Sequence, residues 1–217
     1  MAYKLKEMLV SPSKYSIKAP YKMNAEYITI HNTSNRASAL NEARYHNSNN
    51  NQVSFHFAVD DKEVIQVVPT DRNAWHCGDG QGEGNRKSIG IEICYSTLGG
   101  EKYEQAEQNA VEFTAKLLHE RGWNIDRVKT HKYWTQIGVK KGYSNYVKNC
   151  PHRILDEDRW DEFLERIQKE LDKLNGKVSA KSLTDIEVKD MEFTSPTLRD
   201  KLEMRLKSPS TAKLLDD

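Results

Sequence analysis

Three residues of this chain have the chemistry of metal ligands and stand at the ends of segments able to hold them. His31 closes the apolar run Tyr27-Ile28-Thr29-Ile30, His131 opens His131-Lys132-Tyr133-Trp134, and Cys150 sits in Lys148-Asn149-Cys150-Pro151. Two imidazoles and one thiolate leave the fourth corner of a zinc tetrahedron open, which separates a catalytic zinc site from a closed structural one. Glu92 lies inside the strand-like run Ser88-Ile89-Gly90-Ile91-Glu92-Ile93-Cys94. Zinc with an open position beside a carboxylate can activate water, so the pattern reads as a metal-dependent hydrolase. His152, two residues beyond Cys150, is the rival third ligand, although a thiolate neutralises more of the metal's charge.

These groups need elements to aim them. Tyr27 to His31 alternates as a strand does, with Ile28 and Ile30 on one face and Thr29 and His31 on the other. The same alternation puts Ile89, Ile91 and Ile93 on one side of their strand and Gly90, Glu92 and Cys94 on the other. Glu92 then looks into a cleft, beside a glycine expected to leave room for substrate. Residues 37 to 46 read as a helix and 54 to 60 as a strand, followed by a tight turn at Asp60-Asp61-Lys62-Glu63 into a second strand over 64 to 68, a hairpin. Four glycines between Trp75 and Asn85 predict loop throughout. Apolar residues at helical spacing predict a helix over 101 to 121, stopped by Gly122, and another from about 157 to 174, stopped by Asn175-Gly176. Among the other candidates, His56 reads as a core hydrogen bonder, His46 and His119 as solvated helix positions, and Cys77 and Cys94 as unpaired thiols near the cleft face.

Composition bounds the rest. At 217 residues, with 37% hydrophobic and 30% charged residues, the chain fits one domain plus a polar appendage. A net charge of +1 gives no strong field for nucleic acid or a membrane surface. No stretch approaches the roughly 18 apolar residues of a membrane span. The amino terminus shows no secretory signal pattern, so the expected site of synthesis is a cytoplasm. Three irregularly spaced cysteines argue against a disulfide framework. Beyond Lys177 basic and acidic residues alternate with few large apolar side chains, and Ser195-Pro196-Thr197-Leu198 is echoed by Ser208-Pro209-Ser210-Thr211. The expected division is a catalytic domain over 1–175, a linker over 176–194, and a short helical segment over 195–217 for binding or self-association.

Taken together, Tyr27-Ile28-Thr29-Ile30-His31-Asn32-Thr33, Trp75-His76-Cys77-Gly78-Asp79-Gly80, Gly84-Asn85-Arg86-Lys87-Ser88-Ile89-Gly90-Ile91-Glu92, His131-Lys132-Tyr133-Trp134 and Lys148-Asn149-Cys150-Pro151 resemble the zinc-dependent N-acetylmuramoyl-L-alanine amidases of the type-2 amidase family, which includes phage endolysins and autolysins. The resemblance covers about residues 20 to 172. It implies an α/β fold, a single twisted mixed sheet flanked by helices, with a zinc groove on one face. It implies His31, His131 and Cys150 as zinc ligands, Glu92 as the catalytic acid–base group and Lys148 as the cation beside the developing oxyanion. Thr33, Trp75, His76 and Arg86 fall in segments that line the substrate groove in relatives. The implied reaction is hydrolysis of the amide between N-acetylmuramic acid and L-alanine in bacterial peptidoglycan, with Zn2+ as sole cofactor. A phage endolysin made in the host cytoplasm and released to the wall fits the absent signal. Two other readings stand beside it: a peptidoglycan-binding module without catalysis, and a zinc peptidase cutting within the stem peptide. The segment from Trp134 to Lys148 is longer than in many relatives and predicts a loop over one rim of the groove.

Overall fold

The two alternating runs pair with each other as adjacent inner strands of a six-stranded sheet. A computed structural model describes residues 3–176; the expected linker and C-terminal segment lie outside the described residues. The strands are β1 (Lys4–Glu7), β2 (Tyr27–Asn32), β3 (Phe57–Val59), β4 (Glu63–Gln66), β5 (Ser88–Ile93) and β6 (Val128–Thr130), in the spatial order β1-β4-β3-β5-β2-β6. Only β3 and β4 run antiparallel, as the predicted hairpin; every other pairing is parallel. The fold is therefore mixed α/β with one central sheet, as the sequence implied. The helices are α1 (Tyr15–Lys18), α2 (Ala39–Ser48), α3 (Glu83–Lys87), α4 (Gly100–Arg121), α5 (His131–Lys140), α6 (His152–Asp156) and α7 (Trp160–Leu174). The unit Met1–Leu171 contains the whole sheet.

The hairpin turn also anchors the layers. Asp60 Oδ1 accepts the N–H groups of Lys62 (2.8 Å) and Glu63 (2.9 Å), a turn closed by its own side chain. Its Oδ2 accepts Ala39 N–H at the start of α2, and its backbone carbonyl accepts Asn109 Nδ2 from α4. Helix α4 buries Tyr103, Ala106, Ala110, Phe113 and Leu117, the stripe seen in the sequence, and Gly122 ends it in a left-handed conformation at φ 64°. Helix α7 buries Phe163, Ile167 and Leu171. A carboxylate clamps these two helices together: Glu107 receives both Nη atoms of Arg159 (2.9 and 3.2 Å) and Nη1 of Arg166 (2.5 Å).

Four expectations are corrected. The glycine-rich stretch is not loop throughout, because α3 begins at Glu83. Its start is capped from a distance by Asp79, whose carboxylate accepts Gly84 N–H (2.7 Å) and Asn85 N–H (3.1 Å). The helix expected from 157 begins at Trp160, since Asp158 takes a left-handed φ of 53° and separates α7 from α6. The strand expected over 54 to 60 pairs only over Phe57–Val59; Ser54 is committed instead to Trp75 and Lys18. His46 is not solvated but 3% exposed, its ring packed against Phe55.

Two outcomes are expected from these contacts. Burial lowers the pKa of His46 to about 4, although its hydrogen bond to Asn47 opposes this. The unfolded chain therefore takes up a proton near pH 6.5 that the folded chain refuses until about 4, and stability falls as pH drops through that window by about 1.4 kcal/mol per pH unit. Urea midpoints at pH 7 and pH 5 should drop less in His46→Gln than in the unsubstituted chain, by an equivalent of about 2 kcal/mol; equal drops would show that His46 titrates normally. At the helix clamp, burial pushes Glu107 up, but its bonds to Arg159 and Arg166 outweigh this and hold it below the usual carboxylate range. The clamp thus stabilises above about pH 4.5 and fades as Glu107 protonates in acid. Glu107→Gln should cost roughly 3 kcal/mol at neutral pH, read by denaturant unfolding.

Candidate metal centre and groove

Each donor is placed by a different element. His31 sits near the end of β2, directly across from Glu92 of β5, as Thr29 is from Gly90. His131 is the first residue of α5, where Thr130 Oγ1 accepts Tyr133 N–H and fixes the helix start. Cys150 precedes α6; its carbonyl accepts Lys132 N–H (2.9 Å) and its Sγ accepts Asn32 N–H (3.4 Å). These contacts bring His31 Nδ1 to 3.1 Å from His131 Nδ1 and 3.9 Å from Cys150 Sγ. The three donor atoms lie within 4.8 Å of one another, and all three residues are buried. Glu92 Oε1 is 3.9 Å from the same His31 Nδ1. A second group of the same kind, His31, His76 and Cys77, shares His31 through its other nitrogen. His152 instead reaches Ser34 Oγ, 3.4 Å from its Nδ1.

The electrostatics of the pocket suit a cation. Burial lowers His131 to about 3, helped by Lys148. Burial also holds His31 well below its ordinary value, reinforced by His131, His76 and Lys148. Both rings are thus neutral and able to ligate. Burial pushes the Cys150 thiol up to about 12, with Glu92 adding to the effect and Asn32 N–H and Lys148 opposing it. Burial and then Glu42 raise Glu92 to about 8 against Lys148, and its Oε2 is buried without a hydrogen-bond partner. Neutral imidazoles beside a thiol and a carboxylate that cannot easily ionise alone are the setting that a divalent ion inverts. The donor set fits zinc.

A groove of about 530 Å³ opens over this pocket, lined among others by Trp75, His76, His131, Tyr143, Tyr146 and Lys148. A smaller cavity of about 150 Å³ on another side of Glu92 is lined by Thr33, Glu42, His46 and Phe55. Of the residues proposed from the sequence, His31, His131, Cys150 and Glu92 are brought together, with Lys148 on the groove wall. Thr33 lies at the smaller cavity, while Trp75 and His76 lie at the larger one. The Arg86 guanidinium stacks on Tyr21 at 4.0 Å and bonds Gln81, a residue of the groove wall. Gly90 does not make room for substrate. A Cβ there would fall 2.9 Å from the His76 ring, so the missing side chain accommodates that imidazole. Cys77 and Cys94 are unpaired, as expected, but buried.

Sequence reasoning missed the groups that hold the ligands. Asn32 donates its backbone N–H to Cys150 Sγ and its Nδ2 to Tyr103 Oη, and its Oδ1 accepts Arg153 N–H. Asn85 Oδ1 accepts the N–H groups of both His76 and Cys77 at 2.8 Å. Thr135 Oγ1, one turn after His131, accepts Lys148 N–H at 3.0 Å. Asn32 lies beside a ligand, and a polar residue at a strand end was the available signal. Asn85 and Thr135 act across long sequence separations that no local pattern encodes.

Known proteins place this arrangement. Residues 21–153 match the Amidase_2 family, described as N-acetylmuramoyl-L-alanine amidase. The chain is 56% identical over 181 residues to N-acetylmuramoyl-L-alanine amidase CwlA of Bacillus subtilis (strain 168), covering 83% of this chain and 62% of that protein. It is 57% identical over 182 residues to N-acetylmuramoyl-L-alanine amidase XlyB of the same organism, covering 83% of this chain and 53% of that protein. It therefore spans less than two thirds of either relative. The solved structure of PlyL superposes with a TM-score of 0.69 at 49% identity, over 76% of this chain and 96% of that one. With the family pattern matched over residues 21–153 and more than half of the aligned residues identical to named members, the chain belongs to the N-acetylmuramoyl-L-alanine amidase family.

Proposed function

We propose that this chain hydrolyses the amide between the lactyl group of N-acetylmuramic acid and L-alanine in bacterial peptidoglycan, with zinc held by His31, His131 and Cys150. The observation that carries the reading is the convergence of His31 Nδ1, His131 Nδ1 and Cys150 Sγ, with Glu92 Oε1 at 3.9 Å from the shared His31 nitrogen. This group is preferred to His31, His76 and Cys77 because Glu92 and the Lys148 charge act on it directly. When bound, zinc supplies a Lewis acid that polarises the scissile carbonyl and lowers the pKa of water. Glu92 Oε1 takes the proton of the attacking water and returns it to the leaving amine, a role suited to a carboxyl held near neutral pKa. Lys148, on the groove wall, places positive charge where the carbonyl oxygen becomes an oxyanion. Thr33, Trp75 and His76 border the cavities that receive the glycan and stem peptide. The biological setting proposed is lysis of the wall as an endolysin or autolysin.

The first test is the metal. Purified chain should contain one zinc per molecule, a chelator should abolish wall hydrolysis, and added zinc should restore it. Cys150→Ala with full metal occupancy would move the third ligand to His152. The second test separates roles: Glu92→Gln should keep zinc while losing about 10²–10⁴-fold in kcat, and Lys148→Ala should lose about 10²-fold in kcat with little change in KM. Wild-type turnover in the Glu92 variant would reject the assignment. New amino termini in the digest identify the bond: an amidase frees L-alanine, a stem-peptide peptidase frees another residue, and a binding module frees none. We further propose that residues 176–217 serve wall targeting or self-association. A chain ending at Asn175 should then keep activity on small muropeptides and lose it on whole walls, where tethering raises effective concentration; equal activity on walls rejects the targeting role.

A further inference from the structure

His76 touches His31 rather than standing free in the groove, and its hydrogen bonds fix where its proton lies. Ser88 O can only accept, so His76 Nε2, 3.2 Å away, carries the hydrogen. In a neutral ring that leaves Nδ1 bare. His31 Nε2 lies 2.9 Å from this Nδ1 and must donate to it. Cys77 Sγ lies 3.1 Å from the same nitrogen and donates its own hydrogen to Thr29 Oγ1 at 3.7 Å. A neutral His31 with its hydrogen on Nε2 has a bare Nδ1, and that is the atom facing His131 Nδ1 and Cys150 Sγ. His76 is seated firmly: its backbone N–H is held by Asn85 Oδ1, and its ring fills the space that a side chain at Gly90 would occupy.

We propose that His76 is a positioning residue for the metal centre, accepting His31 Nε2–H so that His31 is locked in the tautomer and orientation that offer Nδ1 as ligand. The inference rests on the zinc reading above and goes beyond it by assigning a role to His76. It also separates the two donor groups. Within His31 and His76 the lone pair of His76 Nδ1 is taken by His31 Nε2–H and is not free for a metal, so that cluster supports a ligand instead of forming a second metal site. Hydrogen bonds that orient a ligating histidine typically contribute about 10–100-fold in metal affinity.

The test is zinc affinity, measured by competition with a chromogenic chelator on metal-free protein, alongside KM and kcat. His76→Leu should weaken zinc binding about 10–100-fold. His76→Asn, whose Oδ1 can accept where Nδ1 did, should recover most of the loss, and Cys77→Ser should leave one zinc per chain. Unchanged zinc affinity in His76→Leu with only KM raised would overturn the proposal in favour of a substrate contact. Two zincs per chain, one of them lost in Cys77→Ser, would overturn it by making His76 a ligand. Nitrogen-15 spectra of the imidazoles in the unsubstituted protein do not depend on a variant folding. They should show His31 protonated at Nε2 with and without zinc, and a hydrogen on His31 Nδ1 in either state would overturn the proposal. Failure of the unsubstituted chain to bind zinc would overturn the metal reading and this role together, and is recognised by all four proteins behaving alike.

Discussion

The parallel register of β2 on β5 sets His31 opposite Glu92 and Thr29 opposite Gly90. Side chains alternate faces along a strand, so a slip by one residue would send Glu92 into the isoleucine layer and carry it away from His31. The register is secured by burial. Ile28 and Ile30 of β2 and Ile89, Ile91 and Ile93 of β5 are all fully buried in the core, and a one-residue slip would turn one strand's isoleucines out of it. The chemistry thus depends on an apolar constraint: the isoleucines fix the strands, and the strands deliver an imidazole and a carboxylate to one place. The opposite pair, Thr29 and Gly90, leaves space in the same layer for the His76 ring.

Placing these groups in a buried layer has a cost that shapes the site. A carboxylate and a thiol taken out of water resist ionisation, which is why Glu92 and Cys150 sit high and the histidines low. Lys148 eases the anions without neutralising them. One added divalent charge would favour the thiolate and the carboxylate together while leaving the imidazoles in the neutral form they need. A divalent cation fits this pocket because it would favour the ionised Cys150 and Glu92 that burial alone disfavours.

Much of this was legible in the chain. The alternation at 27–31 and 88–93 gave the two central strands and the faces of His31 and Glu92, and the stripes in α4 and α7 gave the flanking helices. The turn at Asp60 announced the hairpin. What escaped was everything set by contacts distant in sequence. Asp79 caps α3 from outside the helix, so a glycine-rich stretch with no adjacent cap read as loop. His46 reads as polar, and only the packing of α2 against Phe55 buries it. Gly90 beside a catalytic carboxylate suggested space for substrate, when the space is taken by a residue fourteen positions earlier, His76.

The rim segment between Trp134 and Lys148 is anchored beside the pocket at both of its ends. Helix α5 holds His131 at its first residue and ties down the rim that leads from it to Cys150. Tyr143 N–H bonds Gly138 O, Lys148 N–H bonds Thr135 Oγ1, and Lys132 N–H bonds Cys150 O. The Tyr143 ring lies against Gly80, and Gly138 meets the backbone of Gly78 so closely that a Cβ would fall 2.4 Å from its carbonyl. Both ends of the segment are therefore fixed to the helix that carries a ligand, and only residues 144 to 147 span between the ties. Extra length inserted there alters the groove wall, where Ser144 and Tyr146 stand, without moving Lys148 or Cys150. Loop-closure entropy grows slowly with length, so a longer rim costs little stability. The rim is thus tied at both ends to α5, the helix that begins with His131.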